Sequence, residues 1–279
     1  MISTRHTSLT DKYQTLQGML RSMENVLVAF SGGVDSTFLV RAVLDAGIPY
    51  LAVTATSPTM PARDLEDVHA LVQGLNLRHR LIESGEIRDP EFVRNGPDRC
   101  FHCKSDLFKR LSDLARAEGF SHVLDGTNTE DLGDYRPGLQ AKKGYQVVSP
   151  LLEADLNKQE IRLLSREKGL ATWDKPASPC LSSRISYGEP ILVSSLRMVE
   201  RSETWLKSRN FTTVRVRKQG ECARIEVSDE ELPRLLDARL RKQVTAAFQQ
   251  IGFKFVTLDL EGFQSGKLNR VIPVTPHPV

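Results

Sequence analysis

Short unbroken apolar runs alternate with stretches of helical period through the first two thirds of the chain. Val26-Leu27-Val28-Ala29-Phe30 is the first run, the pattern of a strand buried on both faces. A glycine pair ends it and a helical pattern follows from Ser36 to Leu44, so the local order is strand, loop, helix. The strand signal returns at Tyr50-Leu51-Ala52-Val53-Thr54, at His79 to Ile82, at His122-Val123-Leu124-Asp125 and at Gln146-Val147-Val148-Ser149. Helices are predicted over residues 9 to 23, Pro61 to Leu75 and Lys104 to Ala117. Asn157, followed three residues later by Glu160, forms a capping-box pattern for another helix that runs to Lys168, where Gly169 can stop it. Strands alternating with helices of this length predict an α/β fold, a Rossmann-like parallel sheet with helices on both faces.

The stretch from Ala171 to Pro190, rich in Pro, Ser and Gly, reads as a linker or an active-site loop and contains Cys180. Beyond it the texture changes. A helix over Val193 to Ser208, strands over Thr213 to Arg217 and Ala223 to Val227, a helix over Asp229 to Gln249 and a strand over Lys254 to Leu258 predict a smaller α+β unit. The expected division is therefore 1–190 and 191–279, the tail from Val271 to Val279, with three prolines, being expected to be disordered.

Composition narrows the class. At 279 residues and 40% hydrophobic content the chain can bury one large core or two modest ones. No apolar run approaches the roughly 20 residues that span a bilayer, and the N-terminus lacks the apolar core of a signal peptide, so the expected location is cytoplasmic with no membrane partner. The net charge of +3 argues for no polyanion, but residues 193–279 carry 15 Lys and Arg against 10 Asp and Glu. That basic excess suits a phosphate-bearing substrate, and equally a solvated helix face. Four cysteines over this length are too few for a disulfide scaffold.

The clearest chemical signal is Phe30-Ser31-Gly32-Gly33-Val34-Asp35-Ser36-Thr37. It lies where a first strand ends and a helix begins, the place where an open parallel sheet presents ligands. Gly32 and Gly33 let the backbone bend so that successive N–H groups converge on an anion, while Ser31, Ser36 and Thr37 add hydroxyls. The octet lacks the lysine of a Walker A loop and the glycine spacing of a dinucleotide fingerprint. It resembles the SGGxDS loop of the PP-loop ATP pyrophosphatases. That resemblance implies ATP and Mg²⁺, a loop that grips pyrophosphate, and transfer of AMP to a substrate oxygen, with Asp35 as the metal-side carboxylate. Capping the helix is the alternative role for Asp35.

Further segments narrow the resemblance. Leu124-Asp125-Gly126-Thr127-Asn128, Asp134-Tyr135-Arg136-Pro137-Gly138, Ser178 to Arg184, Val214-Arg215-Val216-Arg217 and Ala223-Arg224-Ile225-Glu226 together resemble the LarE family of ATP-dependent sulfur transferases, over residues 25 to 269. That family makes the nickel-pincer nucleotide cofactor of lactate racemase. The resemblance implies that ATP adenylates a carboxylate of pyridinium-3,5-biscarboxylic acid mononucleotide, that sulfur attacks the acyl adenylate, and that a thiocarboxylate results. It also implies that Lys104 assists adenylation, that Asp125 and Gly126 lie near the nucleotide, and that Ser183, Arg184, Arg215 and Arg217 face the substrate. On the residues alone, Val-Arg-Val-Arg is equally the outward face of a half-buried strand. A homo-oligomer, possibly a hexamer, is implied in the same way.

Cys180 occupies the loop where this family keeps its essential cysteine. Members with that cysteine alone surrender its sulfur and are left with dehydroalanine. This chain departs from that pattern by adding Cys100 and Cys103, one helical turn apart. The resemblance to three-cysteine members implies that Cys100, Cys103 and Cys180 ligate a 4Fe-4S cluster, which takes sulfur from a sulfide donor and allows repeated turnover. Half of a zinc site and a redox dithiol passing persulfide sulfur remain alternatives for the pair. Cys222 reads as a small packed residue. The competing functions are a tRNA thiolase, an amide-forming relative of NAD or GMP synthetase, and a non-catalytic iron-sulfur or nucleotide-binding protein. An aromatic content of 6% and the low net charge disfavour a nucleic-acid partner.

Overall fold

In the computed structural model, which describes residues 8–132, 141–142 and 144–271, the first five apolar runs pair as one parallel sheet. Its strands are β1 (Val26–Ala29), β2 (Tyr50–Thr56), β3 (His79–Glu83), β4 (His122–Leu124) and β5 (Val147–Val148), in the order β3-β2-β1-β4-β5. Register is direct: Leu27 lies beside Leu51 on one side and Val123 on the other. The order reverses direction at β1, so the crevice between the ends of β1 and β4 is the switch point where such sheets take ligands.

Helices α1 (Leu9–Arg21), α2 (Val34–Ala46), α3 (Ala62–Gly74), α5 (Arg99–Glu118), α6 (Pro150–Glu153) and α7 (Lys158–Glu167) connect and cover these strands, and a short helix α4 (Pro90–Val93) precedes α5 in the chain. One sheet face, with Leu27, Leu51, Val53 and Val123, buries against Phe108, Leu111 and Ala115 of α5. Side chains alternate along a strand, so Val26 and Val28 of β1 point to the opposite face, where they are also fully buried. Burial on both faces explains why β1 reads as a continuous apolar run. The capping box at Asn157 and Glu160 is present as expected.

Two boundaries differ from expectation for local reasons. Helix α5 begins at Arg99 rather than Lys104, so Cys100 and Cys103 both lie within its opening turns. Pro97 and the bond from the Arg99 N–H to the Gly96 carbonyl (3.1 Å) set up the earlier start. The expected helix over Asp229 to Gln249 is instead a 3-10 turn, Leu232–Leu236, followed by α9 (Ala238–Ile251). Pro233 cannot donate a helical bond, and the Asp237 side chain restarts the helix by accepting from the Leu240 N–H at 2.8 Å.

The chain divides into two compact units, Met1–Ser57 with Ala62–Glu86 and Cys100–Ser178, and Pro58–Pro61 with Ile87–Arg99 and Pro179–Val279. Residues 179–190 thus group with the second unit, and two earlier segments join them. In that unit α8 (Val193–Lys207) and α9 cover a sheet of β6 (Val214–Gln219), β7 (Cys222–Val227) and β8 (Phe255–Leu258). Strands β6 and β7 are antiparallel and β8 is parallel to β7. Phe211, Phe248, Phe253, Val216 and Ile225 form its core.

An ion pair is embedded in this small unit. Glu226 is fully buried and accepts from Arg217 at 2.9 Å and from Arg224 at 3.1 Å. Replacing Glu226 by Ala strands the Arg217 guanidinium out of water, and urea denaturation is expected to show a loss of about 3–5 kcal/mol.

Candidate active site

The loop after β1 is built by local bonds. The Phe30 N–H makes the last sheet bond, to the Val53 carbonyl at 2.8 Å, and the chain then turns through Ser31 to Gly33. The Ser36 hydroxyl faces the Ser31 hydroxyl at 3.1 Å and accepts from the Ser31 N–H at 3.2 Å. Gly33 is the N-cap of α2 and, having no side chain, leaves the first helical N–H groups without a side-chain cap. The Thr37 hydroxyl is buried, with no partner among the described residues. The first-turn N–H groups of α2 and the positive end of its dipole converge here with no side-chain cap, an arrangement that a phosphate chain complements.

Gly126 brings β4 against this loop. A Cβ built on it would stand 3.1 Å from the Ser36 nitrogen and 3.2 Å from the Asp35 carbonyl carbon, so only glycine allows this approach to the first turn of α2. Asp35 is held from two sides, by the Lys158 ammonium and by the Asn128 side-chain amide at 3.3 Å. Asp125 accepts from the hydroxyls of Thr127 and Ser149, each at 2.8 Å, and from Lys142 at 2.7 Å. Burial pushes the Lys142 ammonium below the ordinary lysine range; Asp125 opposes this, and the charge of nearby Lys104 adds to it. Lys175 reaches the Gly32 carbonyl at 3.2 Å and Asp67 at 2.9 Å. The first unit therefore surrounds its loop with Lys142, Lys158 and Lys175, none of which the loop's own sequence announces.

In the second unit, Cys180 is exposed at the N-cap of the 3-10 turn Leu181–Arg184. The turn is pinned at both ends: the Leu181 N–H donates to the Thr59 carbonyl at 2.8 Å, and the Ser183 carbonyl accepts from Arg217 at 2.7 Å. Arg184 is buried. Its Nε and Nη2 meet Glu203 at 3.0 and 3.2 Å, and its Nη1 reaches the carbonyls of Pro179 at 2.6 Å and Cys180 at 3.0 Å. The Ser183 hydroxyl also donates to the Cys180 carbonyl, at 2.8 Å. Arg184 and Arg217 are thus engaged by carboxylates and by the cysteine turn. Arg215 differs: it donates to the Val214 carbonyl at 2.8 Å, lies over the Phe263 ring, and has no ion pair among the described residues. Its charge is disfavoured by burial and then by Arg184.

Comparison with known proteins assigns the pattern. No protein-family model matches the chain. It is 43% identical, over 95% of its length and 99% of the relative's, to an uncharacterized protein of Synechocystis. It is 36% identical, over 94% of its length and 95% of the relative's, to the pyridinium-3,5-bisthiocarboxylic acid mononucleotide synthase of Lactiplantibacillus plantarum. The chain belongs to the LarE family. A weaker match, 26% identity over 55% of the chain and 52% of the relative, to the tRNA-specific 2-thiouridylase of Treponema denticola fits the wider PP-loop superfamily. LarE-family membership makes the chain an ATP-dependent sulfur-transferring enzyme.

Against the LarE expectation, the loop residues Ser31 to Thr37, Asp125 and Gly126 come together in the first unit at the switch point. Cys100 and Cys103, exposed and half-buried, are three positions apart on α5 and so share one helix face. Two thiolates at that spacing are donors of the type an iron-sulfur cluster takes. Among the described residues no three His, Cys, Asp or Glu side chains are gathered as a metal set. Asp134 to Gly138 and most of the expected disordered tail lie outside the described residues. Among the described residues no helix is long and apolar enough to cross a membrane.

Proposed function

We propose that this chain adenylates a carboxylate of pyridinium-3,5-biscarboxylic acid mononucleotide and converts it to a thiocarboxylate, in the synthesis of a nickel-pincer nucleotide. The observation that carries the reading is the uncapped N-terminus of α2 behind the Ser31–Gly33 turn, at the switch point of a parallel sheet. Similarity to a named synthase over 94% of the chain supports the substrate class.

The chemistry follows from what a carboxylate lacks. Its oxygen is a poor leaving group, so the carboxylate oxygen first attacks the α-phosphorus of ATP and the bond to the β-phosphate oxygen breaks. Pyrophosphate leaves with the electron pair, toward the loop donors and Lys158 and Lys175. Asp35 would hold the Mg²⁺ that accompanies ATP, which would screen the same charge. Lys142 lies on Asp125, and Lys104, near enough for its charge to disfavour the Lys142 ammonium, would meet the developing charge of adenylation. Sulfur then attacks the acyl carbon and AMP leaves. The sulfur is presented at the Cys180 turn, Ser183 and Arg184 shape that turn, and Arg215 receives the substrate phosphate, with Arg217 behind it. Cys100, Cys103 and Cys180 would hold a 4Fe-4S cluster through their thiolates, and the cluster would supply replaceable sulfur.

Anaerobic purification with iron and sulfide quantification, followed by a thiocarboxylate assay at limiting enzyme, tests both levels. Several products per chain, with iron present, is the expected result. One product or fewer per chain removes the cluster and leaves Cys180 as a sacrificial donor. Absence of ATP–pyrophosphate exchange with the biscarboxylate overturns the adenylation itself, and tight, salt-sensitive tRNA binding favours a tRNA thiolase.

A further inference from the structure

The segment Ile87–Arg99 is remote in sequence from residues 179–279 yet belongs to the same unit. Asn95 explains why. It is fully buried, with φ of +60°, a left-handed conformation that asparagine tolerates better than most residues. Its side-chain amide donates to the carbonyls of Ser186 at 2.8 Å and Glu189 at 3.0 Å, with Ile185 more distant at 3.4 Å. Its own carbonyl accepts from the Gly188 N–H at 3.1 Å, and two residues earlier the Val93 carbonyl accepts from the Ile191 N–H at 2.9 Å. Arg99, itself buried, donates to the Asn95 side-chain oxygen at 2.6 Å and stacks over the Tyr187 ring, its guanidinium carbon 4.7 Å from the centroid.

All these partners lie in the stretch that directly follows the Cys180 turn. That stretch contains no regular helix or strand, only an isolated bridge from Ile185 to Lys218, so its path is set by a few single backbone bonds and by the side chains that reach it, Asn95 above all. Ordering such a backbone costs conformational entropy, and an exposed nucleophile on it is only as well aimed as the segment that follows.

We propose that Asn95, oriented by Arg99, is a positioning residue for sulfur transfer: it holds Ile185–Glu189 in the path that aims the Cys180 turn. The proposal rests on the reading of Cys180 as the sulfur-delivering residue. Asn95 touches neither nucleotide-loop residues nor Cys180 itself in any bond described here, so its effect falls on the second half-reaction alone.

Two variants separate this from a simple folding role. Asn95→Asp keeps shape and φ tolerance but turns a carboxylate oxygen toward the carbonyls. Asn95→Gly keeps the backbone comfortable at positive φ and deletes the donors. In the full chain with ATP, Mg²⁺ and the biscarboxylate mononucleotide, both are expected to retain ATP–pyrophosphate exchange within about twofold of wild type while thiocarboxylate formation falls at least about tenfold. Alkylation of Cys180 by iodoacetamide, followed by peptide mass spectrometry, is expected to change in rate, and amide exchange across 180–191 to accelerate. Thiocarboxylate formation within twofold of wild type, or exchange falling in parallel with it, overturns the proposal. Wild-type protein that forms no thiocarboxylate, while Cys180 alkylation still responds to Asn95, overturns instead the reading on which it rests.

Discussion

Cys180→Ser protein is expected to form no thiocarboxylate while catalysing ATP–pyrophosphate exchange within about twofold of the wild-type rate. In the proposed mechanism the two half-reactions draw on different residues: adenylation uses the loop after β1, Asp35, Asp125 and the lysines around them, whereas sulfur reaches the acyl carbon from the Cys180 turn. Serine fills the same volume at an exposed N-cap and leaves the bonds from Arg184 and Ser183 intact, because those bonds go to the Cys180 carbonyl and not to its thiol. The folded turn therefore survives, and only the sulfur is lost. Exchange and thiocarboxylate formation are followed with labelled pyrophosphate and mass spectrometry. Continued thiocarboxylate formation would remove Cys180 from the chemistry, whereas amide formation from ammonia by the Cys180→Ser protein would favour an amide-forming synthetase, which needs no thiol.

The second large effect is expected at Gly32. Its φ is +68°, where an L side chain costs about 1–2 kcal/mol. A Cβ there would also stand 2.8 Å from the Val68 Cγ2 atom, inside van der Waals contact. Alanine therefore forces the turn to rotate or α3 to shift, and either movement misdirects the N–H groups that follow. Losing one preorganised donor of this kind costs about 100-fold or more in rate, so Gly32→Ala is expected to lower exchange at saturating ATP by at least that factor. The overall fold should persist, since the strain is confined to one turn. Exchange within threefold of wild type would mean that the loop does not grip the pyrophosphate. The opposite pairing of the two variants, Cys180→Ser failing late and Gly32→Ala failing early, separates the half-reactions.

Much of the first unit was legible from the chain because its signals are local. A buried strand needs a continuous apolar run, and a phosphate loop needs glycines and hydroxyls within a few residues, so Val26 to Thr37 carries fold and chemistry together. The start of α5 was less legible, since Arg99 to Cys103 hold a single large apolar residue, Phe101, too few to show a helical period, and a turn at Gly96 sets the boundary. The Arg-rich strand was legible as a candidate but not as a structure. Register with β7 sets Arg215 opposite Glu226, yet the carboxylate pairs with Arg217 on the diagonal, a choice that only the packed side chains make.

By itself, then, the amino-acid sequence determined the parallel sheet, the loop at its switch point, the cysteine spacing and the family pattern, because each is written in residues that are neighbours along the chain. Only the tertiary structure decided that Lys158 sits on Asp35 across 123 positions, that Lys175 reaches Gly32 across 143, and that Asn95 steadies the segment after Cys180. The physical reason is the same in each case. A long polar side chain has no periodicity of its own to betray its partner, and its role is fixed only when folding buries it beside the group it must satisfy.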